Sequence, residues 1–235
     1  MNKRIGIVAK PNTVDPAYFY YFSDIVDGGG NTIVLINPLD DQVNTNIDLL
    51  VSPGGPDVST TRQDMKPSIH TGKPDIYFEY FHTHALLGYL EAGIPWFGIC
   101  RGMQDQVVTF GGKLVQHWNF PYSSPRGERV ETLEIRGKNL PILAGLDTKK
   151  ELKINSLHHQ CMNVEHKGEM AILAVSKEGK NVEAVYHPDM PVAGVQYHPE
   201  ELLYEPLTNA ILNYLFNWKE KKSDAKIHKR SYIRG

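Results

Sequence analysis

The sequence predicts an α/β fold with a central, mostly parallel sheet, flanking helices and extra antiparallel strands. Three observations carry that expectation. Up to residue 112, short apolar runs of strand length alternate with amphipathic stretches of helix length, a pattern that builds a parallel sheet covered on both faces. From residue 114 onward, strand-like runs follow one another with few helices between them, which suits antiparallel strands added before a last helix. A chain of 235 residues with 41% hydrophobic and 22% charged residues fits one large domain with a real core.

In chain order, residues 4–9 (RIGIVA) read as a short buried strand, and residues 16–27 as a helix stopped by Gly28-Gly29-Gly30. Residues 32–36 (TIVLI) and 48–52 (DLLVS) are the second and third strands; the latter ends in the turn Pro53-Gly54-Gly55-Pro56. The polar stretch 57–74 reads as a surface loop near the strand ends. Residues 76–91 have the length and spacing of an amphipathic helix, closed by Ala92-Gly93. Residues 95–99 form the fourth strand, and residues 101–110 a helix closed by Gly111-Gly112. Beyond it, residues 114–117, 129–135, 171–176, 182–186 and 192–197 are strand-like, and residues 205–218 are the final helix. A single domain over 1–218 and a basic tail over 219–235 are expected.

Charge narrows the function classes. The net charge is −2, yet the stretch from Trp218 to Gly235 holds seven Lys or Arg against two Asp or Glu, leaving about −7 on the rest. An acidic body without interleaved aromatic and basic residues gives nucleic-acid binding little support. No apolar run approaches the roughly 18 residues of a membrane span. Two cysteines, Cys100 and Cys161, make no disulfide framework, and a reducing cytoplasm is the expected setting.

The most informative stretch is Gly98-Ile99-Cys100-Arg101-Gly102. An apolar strand breaks into a helix at a thiol, with glycines two places to either side, which is the logic of a nucleophile elbow with cysteine for serine. Helix-start N–H groups at such a corner favour a thiolate, and open α/β sheets hold their ligands at this edge. Acyl transfer also needs a base and a group that orients it. Gly194-Val195-Gln196-Tyr197-His198-Pro199-Glu200 supplies both, since His198 and Glu200 project to one side if the chain is extended. The oxyanion needs two donors. The N–H of Arg101 is one by analogy with serine elbows, and the 51–57 loop (VSPGGPD) is positioned to offer another.

These pieces, in this order, resemble the class I glutamine amidotransferase superfamily, whose flavodoxin-like fold the chain is then expected to share. Within it the likeness is to the peptidase C26 group of γ-glutamyl hydrolases, including γ-glutamyl-γ-aminobutyrate hydrolase, carried by PGGPDVS, GICRGMQ, NSLHHQ and GVQYHPE. The resemblance implies a triad of Cys100, His198 and Glu200, with oxyanion amides from Arg101 and Gly55 ahead of Gly54. It implies substrate contacts from Gln104, His159 and Gln160, and an activity that needs no cofactor or metal. The implied reaction is hydrolysis of a γ-glutamyl amide through a glutamyl thioester, releasing glutamate and an amine.

One departure concerns the leaving-group side. The family often has an Arg-Asp pair opening the helix before the elbow strand, and here the pair is Pro74-Asp75. The loops 57–74 and 117–129 also look short. Alternatives therefore stay open: a hydrolase of a nucleotide-linked or phosphoramidate amide in surface-polysaccharide synthesis, or a glutaminase subunit delivering ammonia to a synthase partner. A redox-sensing or binding protein on the same scaffold is the non-enzyme alternative. A homodimer is compatible with the sequence. Duller roles are expected for several residues: His82 and His84 on a helix face, His158 as structural, Cys161 and the run Tyr18 to Phe22 as packing.

Overall fold

The computed structural model describes residues 2–10, 13–118, 129–137, 140–177, 181–202 and 205–218. The basic tail 219–235 and most of the 117–129 loop lie outside the described residues.

Among the described residues, a nine-stranded sheet is the frame. Its first half is parallel: β1 (Arg4–Val8) sits between β2 (Thr32–Ile36) and β3 (Leu49–Ser52), and β3 pairs in turn with β4 (Trp96–Ile99). Helices fill the β1–β2 and β3–β4 connections, while β2 runs to β3 without one. α1 (Pro16–Tyr20) follows β1, while α2 (Ile76–Tyr80) and α3 (Leu86–Glu91) run together through a π-helical turn (Phe81–Ala85) before β4. α4 (Arg101–Thr109) leaves β4 directly.

The second half adds β5 (Leu114–Val115), β6 (Arg129–Ile135), β7 (Lys153–Ser156), β8 (Cys161–Met162), β9 (Ala171–Ser176), β10 (Val182–Tyr186) and β11 (Val192–Val195). The sheet order is β2-β1-β3-β4-β11-β10-β9-β6-β7. β11 inserts parallel to β4, and from β10 to β7 every pairing is antiparallel. β5 and β8 form a separate ribbon. α5 (Pro199–Leu202) and α6 (Pro206–Phe216) close the described chain.

Strand periodicity sorts the core into two layers. Ile5, Ile7, Val51, Phe97 and Ile99 face α1 and α6, where Leu207, Ile211 and Leu215 meet them. Leu50, Trp96 and Met103 belong to the opposite layer with Phe81, Leu86 and Tyr89. A sheet covered on both faces explains why β3 and β4 are buried throughout and read as unbroken apolar runs.

Several expectations need correction. The helix expected over 16–27 is α1 continued by a π-helical turn (Tyr21–Ile25) and a 3-10 turn (Val26–Gly28) in which Asp27 adopts φ 55°. β7 and β8 went unread because they are only four and two residues long. The strand ending at residue 197 stops at Val195, and His198-Pro199-Glu200 is not extended. Proline's fixed φ suits a first helical position, so Pro199 opens α5 and Glu200 lies in its first turn. His82 does not decorate an exposed face: it is buried, whereas His84 is exposed and stacks on Tyr80 at 4.2 Å.

Candidate active site

The elbow is a place of forced geometry. Cys100 adopts φ 51° and ψ −106°, which a residue with a Cβ holds only where its surroundings insist. They do so on both sides. Its N–H donates to the Val195 carbonyl at 2.8 Å and its own carbonyl accepts from Gln104 N at 3.1 Å. The flanking glycines are required for a second reason. A Cβ on Gly98 would lie 2.5 Å from the Gly102 carbonyl carbon, and one on Gly102 would lie 2.0 Å from the Ser52 carbonyl oxygen. Strand, turn and helix therefore touch through backbone alone.

β11 is the neighbour of β4, so the chain leaving β11 arrives beside Cys100. The backbone of His198 is clamped from β7: its N–H donates to Asn155 Oδ1 at 2.9 Å, and Asn155 Nδ2 donates to its carbonyl at 3.1 Å. Its ring Nδ1 is 2.6 Å from Glu200 Oε1. That short contact gives Nδ1 the proton donated to the carboxylate and leaves Nε2 for the sulfur. Burial works to lower the His198 pKa, but hydrogen bonding to Cys100 and Glu200, together with their negative charges, outweighs it and holds the imidazole up at about 11. That shift favours the protonated ring at neutral pH.

Two glutamines add a feature not anticipated. Gln196 Nε2 donates to Cys100 Sγ at 3.6 Å, and Gln196 Oε1 accepts from Gln104 Nε2 at 3.2 Å. Gln104 Nε2 also donates to the Gln160 carbonyl at 3.1 Å. The chain Gln160–Gln104–Gln196–Cys100 is buried along its length. A glutamine at a buried strand end must find partners, and that was the one available signal for Gln196.

The expected substrate residues thus divide. Gln104 and Gln160 meet in this network, while His159 points elsewhere: its Nε2 is 3.0 Å from Asp57 Oδ1 and its Nδ1 3.3 Å from His117 Nδ1. His158 is half-buried with Nδ1 2.8 Å from the Gln160 carbonyl, and Cys161 is buried in β8, where burial first and Glu183 second push its thiol up to about 12.

Beneath the 53–56 turn lies an ion cluster. The Arg101 side chain is buried under Gly55, with its Cδ 3.2 Å from where a Gly55 Cβ would be. Its guanidinium reaches Glu79 at 2.8 Å and Asp105 at 3.1 Å, and lies 4.8 Å over the Phe78 ring. Arg62 holds the other Asp105 oxygen at 2.5 Å. His82 stays neutral beside them, since burial dominates and takes its pKa to about 3. It accepts from Ser52 Oγ at Nε2 (3.2 Å) and donates from Nδ1 to the Phe78 carbonyl (2.7 Å). Asp75, which lacks the arginine expected before it, caps α2 and pairs with Lys10 instead.

Burial alone would keep Asp105 protonated, but Arg101 first, then His82 and Arg62, pull its pKa below the ordinary 3.8. Its contribution to stability is therefore complete above pH 3.8 and is lost as the pH falls through the lower folded value. Asp105→Asn leaves the buried Arg101 guanidinium and the half-buried Arg62 guanidinium short of charge. It is expected to cost about 3 kcal/mol, read as a lower urea midpoint with an unchanged slope.

Among the described residues, no set of three His, Cys, Asp or Glu is arranged to hold a metal ion, and no helix is long and apolar enough to cross a membrane.

Comparison with known proteins agrees with this architecture. The chain is 31% identical over 217 residues to the glutamine amidotransferase-like protein YvdE of Lactococcus lactis, covering 83% of this chain and 90% of that one. It is also 31% identical over 116 residues to anthranilate synthase component 2 of Thermococcus kodakarensis, covering 49% of this chain and 55% of that one. The solved structure of PurLQS from Thermotoga maritima superposes with a TM-score of 0.65 at 18% identity, covering 92% of this chain and all of that one, and so shares the fold. The family model for Peptidase C26 matches residues 8–200, and the chain belongs to that family, within the glutamine amidotransferase-like proteins.

Proposed function

We propose that the chain hydrolyses a γ-glutamyl amide, with Cys100, His198 and Glu200 as its catalytic triad. The observation that carries this reading is the place of His198, delivered by β11 beside the strained Cys100 elbow with its Nδ1 2.6 Å from the buried Glu200 carboxylate. A base held by a carboxylate beside a sulfur is the arrangement that activates a cysteine nucleophile.

Cys100 Sγ attacks the γ-carbonyl carbon, and the carbonyl π pair moves to oxygen. The N–H groups of Arg101 and Gly55 receive that oxyanion. Gly54 is the poorer donor, because its N–H already donates to the Tyr18 hydroxyl at 2.9 Å. As the tetrahedral centre collapses, the C–N bond breaks and His198 Nε2–H protonates the departing nitrogen. Water then gives a proton to neutral His198 and its oxygen to the thioester carbon. The C–S bond breaks and glutamate leaves. Glu200 keeps Nδ1–H oriented throughout. Gln104, Gln160 and, through its backbone, His159 are proposed on the glutamyl side, with Gln104 acting partly through the Gln160 carbonyl that it fixes.

Hydrolysis by the chain alone is the first reading. Ammonia delivery to a synthase is the second, favoured by the likeness to a protein named as a synthase component. A panel of γ-glutamyl amines, with glutamine among them, distinguishes them. Release of glutamate and amine by the isolated chain supports the hydrolase. Glutamine cleavage only after a synthase is added supports the second, and no cleavage in any arm defeats both.

The charge state is testable directly. A folded His198 pKa of about 11 against 6.5 means that its stabilising effect is complete below pH 6.5 and is lost as the pH rises towards 11. The imidazolium signals of His198 are therefore expected to persist at pH 9 in ring ¹⁵N spectra. In Cys100→Ala the bond to sulfur is gone, and the ring should titrate at a markedly lower pH.

A further inference from the structure

Tyr18 stands 36 positions from Gly54 and 180 from His198, yet its hydroxyl meets both. It accepts the Gly54 N–H at 2.9 Å and lies 3.4 Å from His198 Nδ1. Burial and the Glu200 carboxylate keep it a phenol, so its one proton is available to that carboxylate while its oxygen serves the glycine. α1, opened by Asp15 accepting from Ala17 N, packs against α5, which carries Glu200. Space is closed as well: a Cβ on Gly54 would lie 2.8 Å from His198 Cε1 and 2.9 Å from the Tyr18 oxygen. Tyrosine's ring alone would satisfy a core position. The polar contacts at its tip ask for another role.

We infer that the Tyr18 hydroxyl is a positioning group that ties the loop carrying Gly55 to the His198–Glu200 pair, so that oxyanion donor and base are set by one contact. This rests on the hydrolase reading above. Glycine backbone rotates readily, and a Gly54 N–H without an acceptor leaves the Pro53–Gly54 peptide to turn and, through the φ and ψ of Gly54, the Gly54–Gly55 peptide that follows it. The Gly55 N–H then leaves the place where charge develops. Sulfur and imidazole keep each other.

Tyr18→Phe tests it against a γ-glutamyl amide cleaved by the wild type. Expected is a fall in kcat/KM of roughly 10- to 100-fold, carried by kcat with KM little changed. A γ-aldehyde analogue of glutamate, which forms an oxyanion when Sγ adds to it, should weaken by the same factor. Alkylation of Cys100 by iodoacetamide needs no oxyanion donor and should keep its rate. An unchanged kcat/KM overturns the inference, and so does a parallel loss of alkylation and turnover with a lowered melting temperature. If Tyr18→Phe does not fold, amide exchange in the wild type decides: a Gly54 N–H protected like a sheet amide supports the contact, and fast exchange overturns it. Failure of the hydrolase reading would look different, as an inactive wild type.

Discussion

Cys100→Ala is expected to abolish turnover, lowering kcat/KM by about 10⁴-fold or more, while the protein stays folded. The sulfur is the atom that forms the covalent bond, and no neighbouring side chain can replace it. Cys161 is buried in β8 with its thiol pushed up to about 12, too protonated to serve. Alanine adopts φ 51° no more easily than cysteine, so the strain of the elbow persists and stability changes little. Cys100→Ser keeps the shape but offers a hydroxyl that an imidazolium cannot activate, and it should be nearly as inactive. Steady-state assays with thermal melts on the same samples check both halves.

The second large effect is structural. Gly102→Ala would put a Cβ 2.0 Å from the Ser52 oxygen and 2.8 Å from the Ser52 carbonyl carbon. Both are backbone atoms of β3, fixed by pairing to β4, so nothing flexible can give way. About 3 kcal/mol of destabilisation is expected, a fall of roughly 6–12 °C in melting temperature for a chain of this size. Activity should fall further than stability explains, because displacing the elbow by about 1 Å misaligns attack and costs on the order of 100-fold. Gly93→Ala is the control. Gly93 has φ +72° but nothing within 4 Å of where an alanine methyl would sit, so it should lose only about 1 kcal/mol and no activity.

How much of the molecule is legible in the chain depends on how far each signal reaches. The parallel half was legible because β1, β3 and β4 are buried on both faces and their apolar runs are unbroken. The elbow was legible because its cause is local: glycines two places either side of one cysteine. The meeting of His198 with Glu200 was anticipated for a geometric reason that does not hold, since Pro199 starts a helix rather than prolonging a strand. β7 could not be read from four residues, KINS, yet it carries the Asn155 that grips His198 from 43 positions away. His82 shows the same limit. Its helical spacing suggested a residue decorating the helix face, and only the approach of Ser52 and the Arg101–Asp105 pair explains its burial. Tyr18 was visible as an aromatic core residue, but its hydroxyl acquires a role only when the 53–56 turn folds over it.

The central claim is that Cys100 carries the glutamyl group during turnover. Acid quenching of the protein within the first turnover on a γ-glutamyl amide, followed by mass spectrometry of its peptides, reads that event directly. The predicted result is one glutamyl adduct on the peptide containing Cys100, labile to hydroxylamine and absent from Cys100→Ala. Turnover with no adduct on that peptide, or with the adduct on another residue, would contradict it.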